Sequence, residues 1–340
     1  MIASALPLSM RALQLDSFSG PGSLQVVEKP VPSPGPGEVL IRIRATPVNP
    51  SDVMFCGGLY GIDRTLPTTP GFEGCGDVVT AGPGWLGSAL RGKRVACGNQ
   101  SGDGLWAEYA ALPATSCLPL PNNISDEQGA CALVNPVTAW AMVAAIRRQQ
   151  PEAVIQTAAA SQLGRMIIRL CRREGIRLIN IVHRPGLIET LKEMGEDIVL
   201  DSSEEDFDET LRDLAHRLNA TYALDAVSGT MTGRVLAAMP KGVIVVYGAL
   251  ERAACSIDPG DLIFREKRVE GFWLSEWLRH QNPLLLLWRL RSVLPMLAND
   301  LSTEVAMRLT LKEAPAKLPE LLKSTSGGKV ILMPMHSDQV

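Results

Sequence analysis

Residues 153–164 (AVIQTAAASQLG) constrain the fold of this 340-residue chain more than any other stretch. The run opens with β-branched Val154 and Ile155, passes through five small residues from Thr157 to Ser161, and leads into 165–175 (RMIIRLCRREG). There Leu163, Ile167, Leu170 and Cys171 recur at helical spacing and would share one face. A strand that runs through a tight turn of small residues into a helix leaves the first N–H groups and the positive end of that helix open to a phosphate. Of the glycines such a turn ordinarily carries, only Gly164 is present.

The pattern repeats downstream. Ser125, with Gln128 three residues later, reads as a capping box that opens a helix carrying Ala130 to Leu133. Short apolar runs then alternate with amphipathic segments, and strands are expected at 154–157, 178–182, 198–201, 222–226, 242–247 and 269–272. Six strands with helices between them predict an α/β Rossmann fold, a doubly wound parallel sheet. The last run, 269–272, reads as apolar enough to hide a sheet edge.

Upstream, from Arg11 to about Asn122, the text is β-rich and punctuated by Gly and Pro. In 38–44 (EVLIRIR), Val39, Ile41 and Ile43 face one way and Arg42 and Arg44 the other, the signature of a half-buried strand. After a helical tail at 283–297, residues 329–333 (KVILM) return to β and are expected to join the first domain. The Rossmann unit, 125–277, is then inserted into a β-rich domain of 1–124 plus 278–340, and the length suits two domains.

Composition narrows the function. With 46% hydrophobic and 20% charged residues and a net charge of -3, nothing draws the molecule to nucleic acid or to an anionic membrane. The start of the chain lacks a signal peptide, and 284–297 is too short and too charged to span a bilayer, so a soluble protein is expected. Seven scattered cysteines with no C-x-x-C pair suggest free thiols and a cytoplasmic home. Four histidines, none near a cysteine in sequence, make a metal site an unfavoured reading.

Nine stretches, in order between Arg11 and Pro334, carry a family resemblance: 48–52 (VNPSD), 57–61 (GGLYG), 70–76 (PGFEGCG), 92–95 (GKRV), 104–109 (GLWAEY), 134–139 (VNPVTA), 158–164 (AAASQLG), 271–277 (GFWLSEW) and 327–330 (GGKV). They resemble the medium-chain dehydrogenases/reductases. Within that superfamily they are similar to the zinc-free quinone oxidoreductase and mitochondrial-type trans-2-enoyl thioester reductase branch. The resemblance implies that the β-rich part is GroES-like. Zinc-dependent members place His before Glu in a Gly-His-Glu motif, and here that position is Phe72, which cannot ligate zinc. Glu73 is read as structural or supporting rather than reactive.

The resemblance also implies a site. The second strand ends without an acid for the ribose 2′-hydroxyl and offers His183 and Arg184 instead, which favours NADPH over NADH because a guanidinium donates in parallel to a 2′-phosphate. Ala159, Ser161, Gln162, Leu163 and Gly164 would form the pyrophosphate turn. Thr138, the Gly248–Ala249 turn, Phe272, Trp273 and Lys329 would line the rest of the cofactor cleft. Tyr60 and Asn49 stand as candidate catalytic residues. Tyr60 matches the tyrosine that enoyl thioester reductases use, and a phenol, ordinarily titrating near pH 10, can donate a proton to an enolate. The basic run Arg165, Arg169, Arg172 and Arg173 could meet a thioester's phosphates but reads better as a solvated face. Substrates would be small enones, enoyl thioesters or quinones, and a homodimer is implied through edge strands. The alternatives are an NADPH:quinone oxidoreductase and a non-catalytic cofactor-binding protein that kept the fold.

Overall fold

The computed structural model describes residues 6–282, 290–322 and 328–335. Part of the expected helical tail at 283–297 lies outside them. The chain divides into two compact units, 1–134 with 294–340, and 135–293. The first cut falls after Val134 rather than at 124 because the helix Asp126–Ala130 packs on strands of the first unit.

In the first unit the long strand Glu38–Pro47 (β3, after β1 Ser9–Leu15 and β2 Leu24–Pro30) is the hub. It pairs antiparallel with β4 (Glu73–Ala81) on one side and with β6 (Tyr109–Pro113) on the other, with β5 (Arg94–Gly98) next to β4 and β7 (Cys117–Pro119) outermost. Val39, Ile41 and Ile43 are fully buried against Val78, Val95 and Leu112, while Arg42 stays in solvent, as the alternation requires. A second core gathers Leu13, Phe55, Phe72, Trp106, Leu309 and Leu332. The returning segment forms Lys329–Leu332, which pairs with β3 through Ile331 and Pro47.

The second unit holds a six-stranded sheet. Its strands are β8 (Ala153–Gln156), β9 (Arg177–Val182), β10 (Val199–Asp201), β11 (Ala220–Asp225), β12 (Gly242–Val246) and β13 (Lys267–Gly271). Every neighbouring pair is parallel, in the order β10-β9-β8-β11-β12-β13. The sheet therefore winds outward in both directions from the β8–β11 boundary, where doubly wound sheets open a crevice at the carboxyl ends of their strands. One reading needs correction: β13 is a charged edge with exposed Arg268 and Glu270, not an apolar one. Charge on an edge strand discourages indiscriminate pairing. Among the described residues no helix is long and apolar enough to cross a membrane.

Candidate active site

The first unit buries the Asn49 amide together with two ionisable side chains, Glu73 and Lys329, that sequence places far apart. Asn49 precedes the short helix Pro50–Cys56, Glu73 opens β4, and Lys329 opens the last strand. The Asn49 amide nitrogen donates to Glu73 Oε1 at 3.0 Å, and the Lys329 ammonium donates to Asn49 Oδ1 at 2.7 Å. Glu73 Oε2 accepts from the backbone N–H groups of Leu133 (3.0 Å) and Val134 (2.9 Å). Below them Asp52 accepts from the N–H groups of Asn49 (2.7 Å) and Phe72 (3.0 Å). A charge stripped of water survives only if partnered, and here the Asn49 amide relays between carboxylate and ammonium with both ends used. Glu73, read from sequence as supporting, is the centre of this cluster.

Phe72 occupies the position where zinc-dependent relatives carry a histidine. It is buried, and its ring lies 5.0 Å from Tyr60 and 5.5 Å from Phe55. The Arg64 guanidinium stacks over Phe55 and Phe72 at 5.1 and 5.2 Å and donates to the carbonyls of Thr69 and Asn99. A phenyl ring has no lone pair for a metal. Among the described residues no cluster of three His, Cys, Asp or Glu could hold one. Phe72 therefore supplies no ligand to zinc. Tyr60 thus leans, half-buried, on an aromatic floor rather than beside a metal ligand.

In the second unit the phosphate-type turn is built without glycine freedom. β8 ends at Gln156, and the helix Gln162–Arg173 begins after Ser161, whose hydroxyl accepts from the Gly164 N–H at 3.1 Å. Ala158 sits in the left-handed region at φ 48, at a cost of about 1 kcal/mol for a residue with a Cβ. Gly164 cannot be larger, since a Cβ there would overlap the carbonyl oxygens of Ala159 and Ala158, the second at 2.7 Å. Ala159 is fully buried and donates its N–H to the carbonyl of Ile181. Arg165 is buried too and donates to the carbonyl of Ala160 at 2.9 Å, so it braces the turn and does not belong to a solvated basic face.

The remaining expected residues follow the carboxyl ends of the parallel strands. His183 and Arg184 follow β9, His183 Nδ1 lying 3.1 Å from the Ser202 hydroxyl and Arg184 exposed. Gly248 and Ala249 follow β12, and a Cβ on Gly248 would stand 2.7 Å from the Ala226 carbonyl oxygen. Phe272 follows β13 and donates its N–H to the Val246 carbonyl; Trp273 caps the helix Leu274–Arg279 beneath the Arg279 guanidinium, 5.6 Å away. Gln162 and Leu163 are half-buried in the first helical turn after the loop. Thr138 is buried near the start of the helix Asn135–Gln149. Two polar residues at this end were not singled out by sequence: Thr157 and Asp225, both fully buried and 2.8 Å apart. A Thr and an Asp ending two apolar runs carry no local signal that they meet.

Comparison with known proteins adds to this geometry. Residues 35–122 match the profile of the alcohol dehydrogenase GroES-like domain, and 163–288 that of the zinc-binding dehydrogenase. The mitochondrial enoyl-[acyl-carrier-protein] reductase of Rattus norvegicus is 30% identical over 284 residues, covering 82% of this chain and 76% of the relative. A crystal structure of a candidate NADPH:quinone reductase from Mesorhizobium loti superposes with a TM-score of 0.91 at 37% identity, covering 97% of this chain and all of that one. A mycobacterial protein solved in complex with NADPH gives 0.83 at 28%, covering 96% of this chain and all of its own.

The buried cluster of the first unit has a pH signature. Burial, reinforced by the charge of Glu73, pushes the Asp52 carboxyl up to about 7, outweighing its two N–H donors and Lys329. Glu73 is raised as well, by burial. Unfolded, Asp52 would ionise near pH 4. The folded chain thus holds more protons than the unfolded one between about pH 4 and pH 7, so this contribution to stability is present at low pH and lost as pH rises through 7. Urea unfolding of the parent and of Asp52→Asn, which cannot titrate, checks this. The parent's stability relative to the variant should fall by on the order of a few kcal/mol from about pH 4.5 to about pH 7.5. A difference that stays flat or grows with pH contradicts the assignment.

Proposed function

Because the chain belongs to the medium-chain dehydrogenase/reductase superfamily, in its quinone oxidoreductase-like branch, we propose that it is a zinc-independent, NADPH-dependent reductase of α,β-unsaturated carbonyl compounds, with enoyl thioesters as the substrate class. The observation that carries this reading is Tyr60 on Phe72: a phenol that can donate a proton packs against the ring that stands where a metal centre would need a ligand. The tight turn at Ala158–Gly164 and the donors of Arg184 fit an NADPH pyrophosphate and 2′-phosphate. Thr138, Ala159, Ser161, Gln162, Leu163, Gly164, His183, Arg184, Gly248, Ala249, Phe272 and Trp273 are the residues of the second unit that would hold the cofactor. Lys329 is the candidate from the first unit.

When bound, NADPH supplies a hydride to the β-carbon of the enoyl group. This chain's residues do the rest. The Tyr60 hydroxyl donates its proton to the α-carbon as the enolate collapses, and Asn49 is fixed by Glu73 and Lys329 so that its orientation is set before substrate arrives. A rigid amide between two charges has no alternative rotamer of similar energy. Quinones are the second reading, favoured by the quinone reductase named among the structural neighbours, since quinone reduction does not require an acid at Tyr60. The six buried thiols, none in a disulfide, support a reducing compartment, of which the cytoplasm is the one expected from sequence.

We also propose a homodimer through β13. This strand ends the sheet, and the neighbouring helix Pro259–Phe264 exposes Leu262, Ile263 and Phe264 in succession. Light scattering should report the mass of two chains for the parent and of one for Phe264→Asp; a parent with the mass of one chain would contradict the dimer. Tyr60→Phe tests the chemistry. Steady-state kinetics with a crotonyl thioester should show kcat reduced by about a hundredfold or more, with KM little changed. An unchanged kcat removes Tyr60 as the acid, and parental turnover confined to quinones moves the assignment to the second reading.

A further inference from the structure

The turn that should hold the pyrophosphate lacks the glycines that normally shape it, yet it adopts the bend. What holds it is visible one residue earlier. Thr157, directly after β8, donates its hydroxyl to Asp225 Oδ1 at 2.8 Å, and the same hydroxyl oxygen accepts the Ala226 N–H at 2.9 Å. Its own N–H goes to the Leu224 carbonyl at 3.0 Å. Asp225 ends β11, and β8 and β11 are the two strands between which the sheet reverses its winding. The pair therefore sits at the crevice of a doubly wound sheet.

Asp225 is saturated with donors. Oδ1 also accepts from the N–H groups of Val227 (2.9 Å) and Ser228 (3.4 Å), and Oδ2 accepts from the Thr232 hydroxyl at 2.6 Å. Two backbone positions that a residue with a side chain rarely adopts lie beside this one carboxylate. Ala158 (φ 48) follows Thr157, and Ser228 (φ 67, ψ −153) follows Asp225 by three residues. Such conformations persist only where surrounding contacts over-determine them.

We propose that Thr157 and Asp225 are positioning residues for the cofactor turn: the carboxylate clamps the Thr157 hydroxyl and thereby imposes on Ala158 the left-handed bend that glycine would otherwise permit. The inference rests on the NADPH reading above and names how this chain achieves that site without the usual glycines. A clamp that served only the sheet would matter for stability alone. A clamp that shapes the turn matters for cofactor affinity, and a glycine at 158 should replace it.

Fluorescence titration with NADPH, alongside thermal unfolding, separates these. Thr157→Val should raise the NADPH Kd by about tenfold or more, and Thr157→Ser, which keeps the hydroxyl, should stay within about twofold of the parent. Thr232→Val removes the other hydroxyl from the same carboxylate but not from the turn; it should lower Tm and leave Kd within about twofold. Adding Ala158→Gly to Thr157→Val should restore affinity to within about threefold of Ala158→Gly alone, a comparison that also serves if Thr157→Val by itself does not fold. The inference is overturned alone if the parent binds NADPH and Thr157→Val binds equally well, if Thr232→Val weakens binding as much as Thr157→Val, or if glycine at 158 restores nothing. A parent that fails to bind NADPH at millimolar concentration overturns the cofactor reading, and this inference with it.

Discussion

Three ionisable groups share a dry pocket in the first unit, and their mutual satisfaction sets what that unit can do. Glu73, Lys329 and Asp52 are almost wholly excluded from water, and removing any one would leave a buried charge or donor without its partner. The Asn49 amide resolves the problem by presenting its oxygen to the ammonium and its nitrogen to the carboxylate. That arrangement admits one orientation of Asn49. The strand hub β3 makes it possible, because β3 pairs with both the strand that carries Glu73 and the strand that carries Lys329.

The same logic recurs in the second unit with different chemistry. There a single carboxylate, Asp225, gathers two hydroxyls and two backbone N–H groups at the reversal point of the sheet. Glycine would make such a turn cheap in conformational terms. This chain uses alanine and holds the turn with side-chain hydrogen bonds. Rigid preorganisation of this kind suits a site that must receive a charged cofactor repeatedly in one geometry.

Local pattern made much of this legible. The β-branched apolar runs located all six strands of the parallel sheet to within a residue or two, since fully buried strands and amphipathic helices have different periods. The alternation in 38–44 gave the burial of Val39, Ile41 and Ile43 and the exposure of Arg42, but Leu40 on the other face is buried as well, against Met10, Ala12 and Ala107. Long-range pairing was not legible. Asn49 and Lys329 are 280 residues apart, and no local propensity encodes their bond. Ala158 gave no sign of a left-handed backbone because alanine is usually the signal for helix. Arg165 read as part of a basic face because its spacing is helical, yet the loop carbonyl of Ala160 draws it inward. The edge strand β13 was misjudged from Val269 and Phe272, whose neighbours Arg268 and Glu270 decide its exposed face.

On the proposed reading this chain transfers reducing equivalents from NADPH to a conjugated carbon–carbon double bond. Steady-state oxidation of NADPH by the purified protein, followed by absorbance, tests it most directly with crotonyl and longer enoyl thioesters beside small enones and quinones. Turnover with the enoyl thioesters should exceed turnover with quinones and need no added metal. Oxidation of NADPH by quinones alone, or by none of these acceptors, would contradict it.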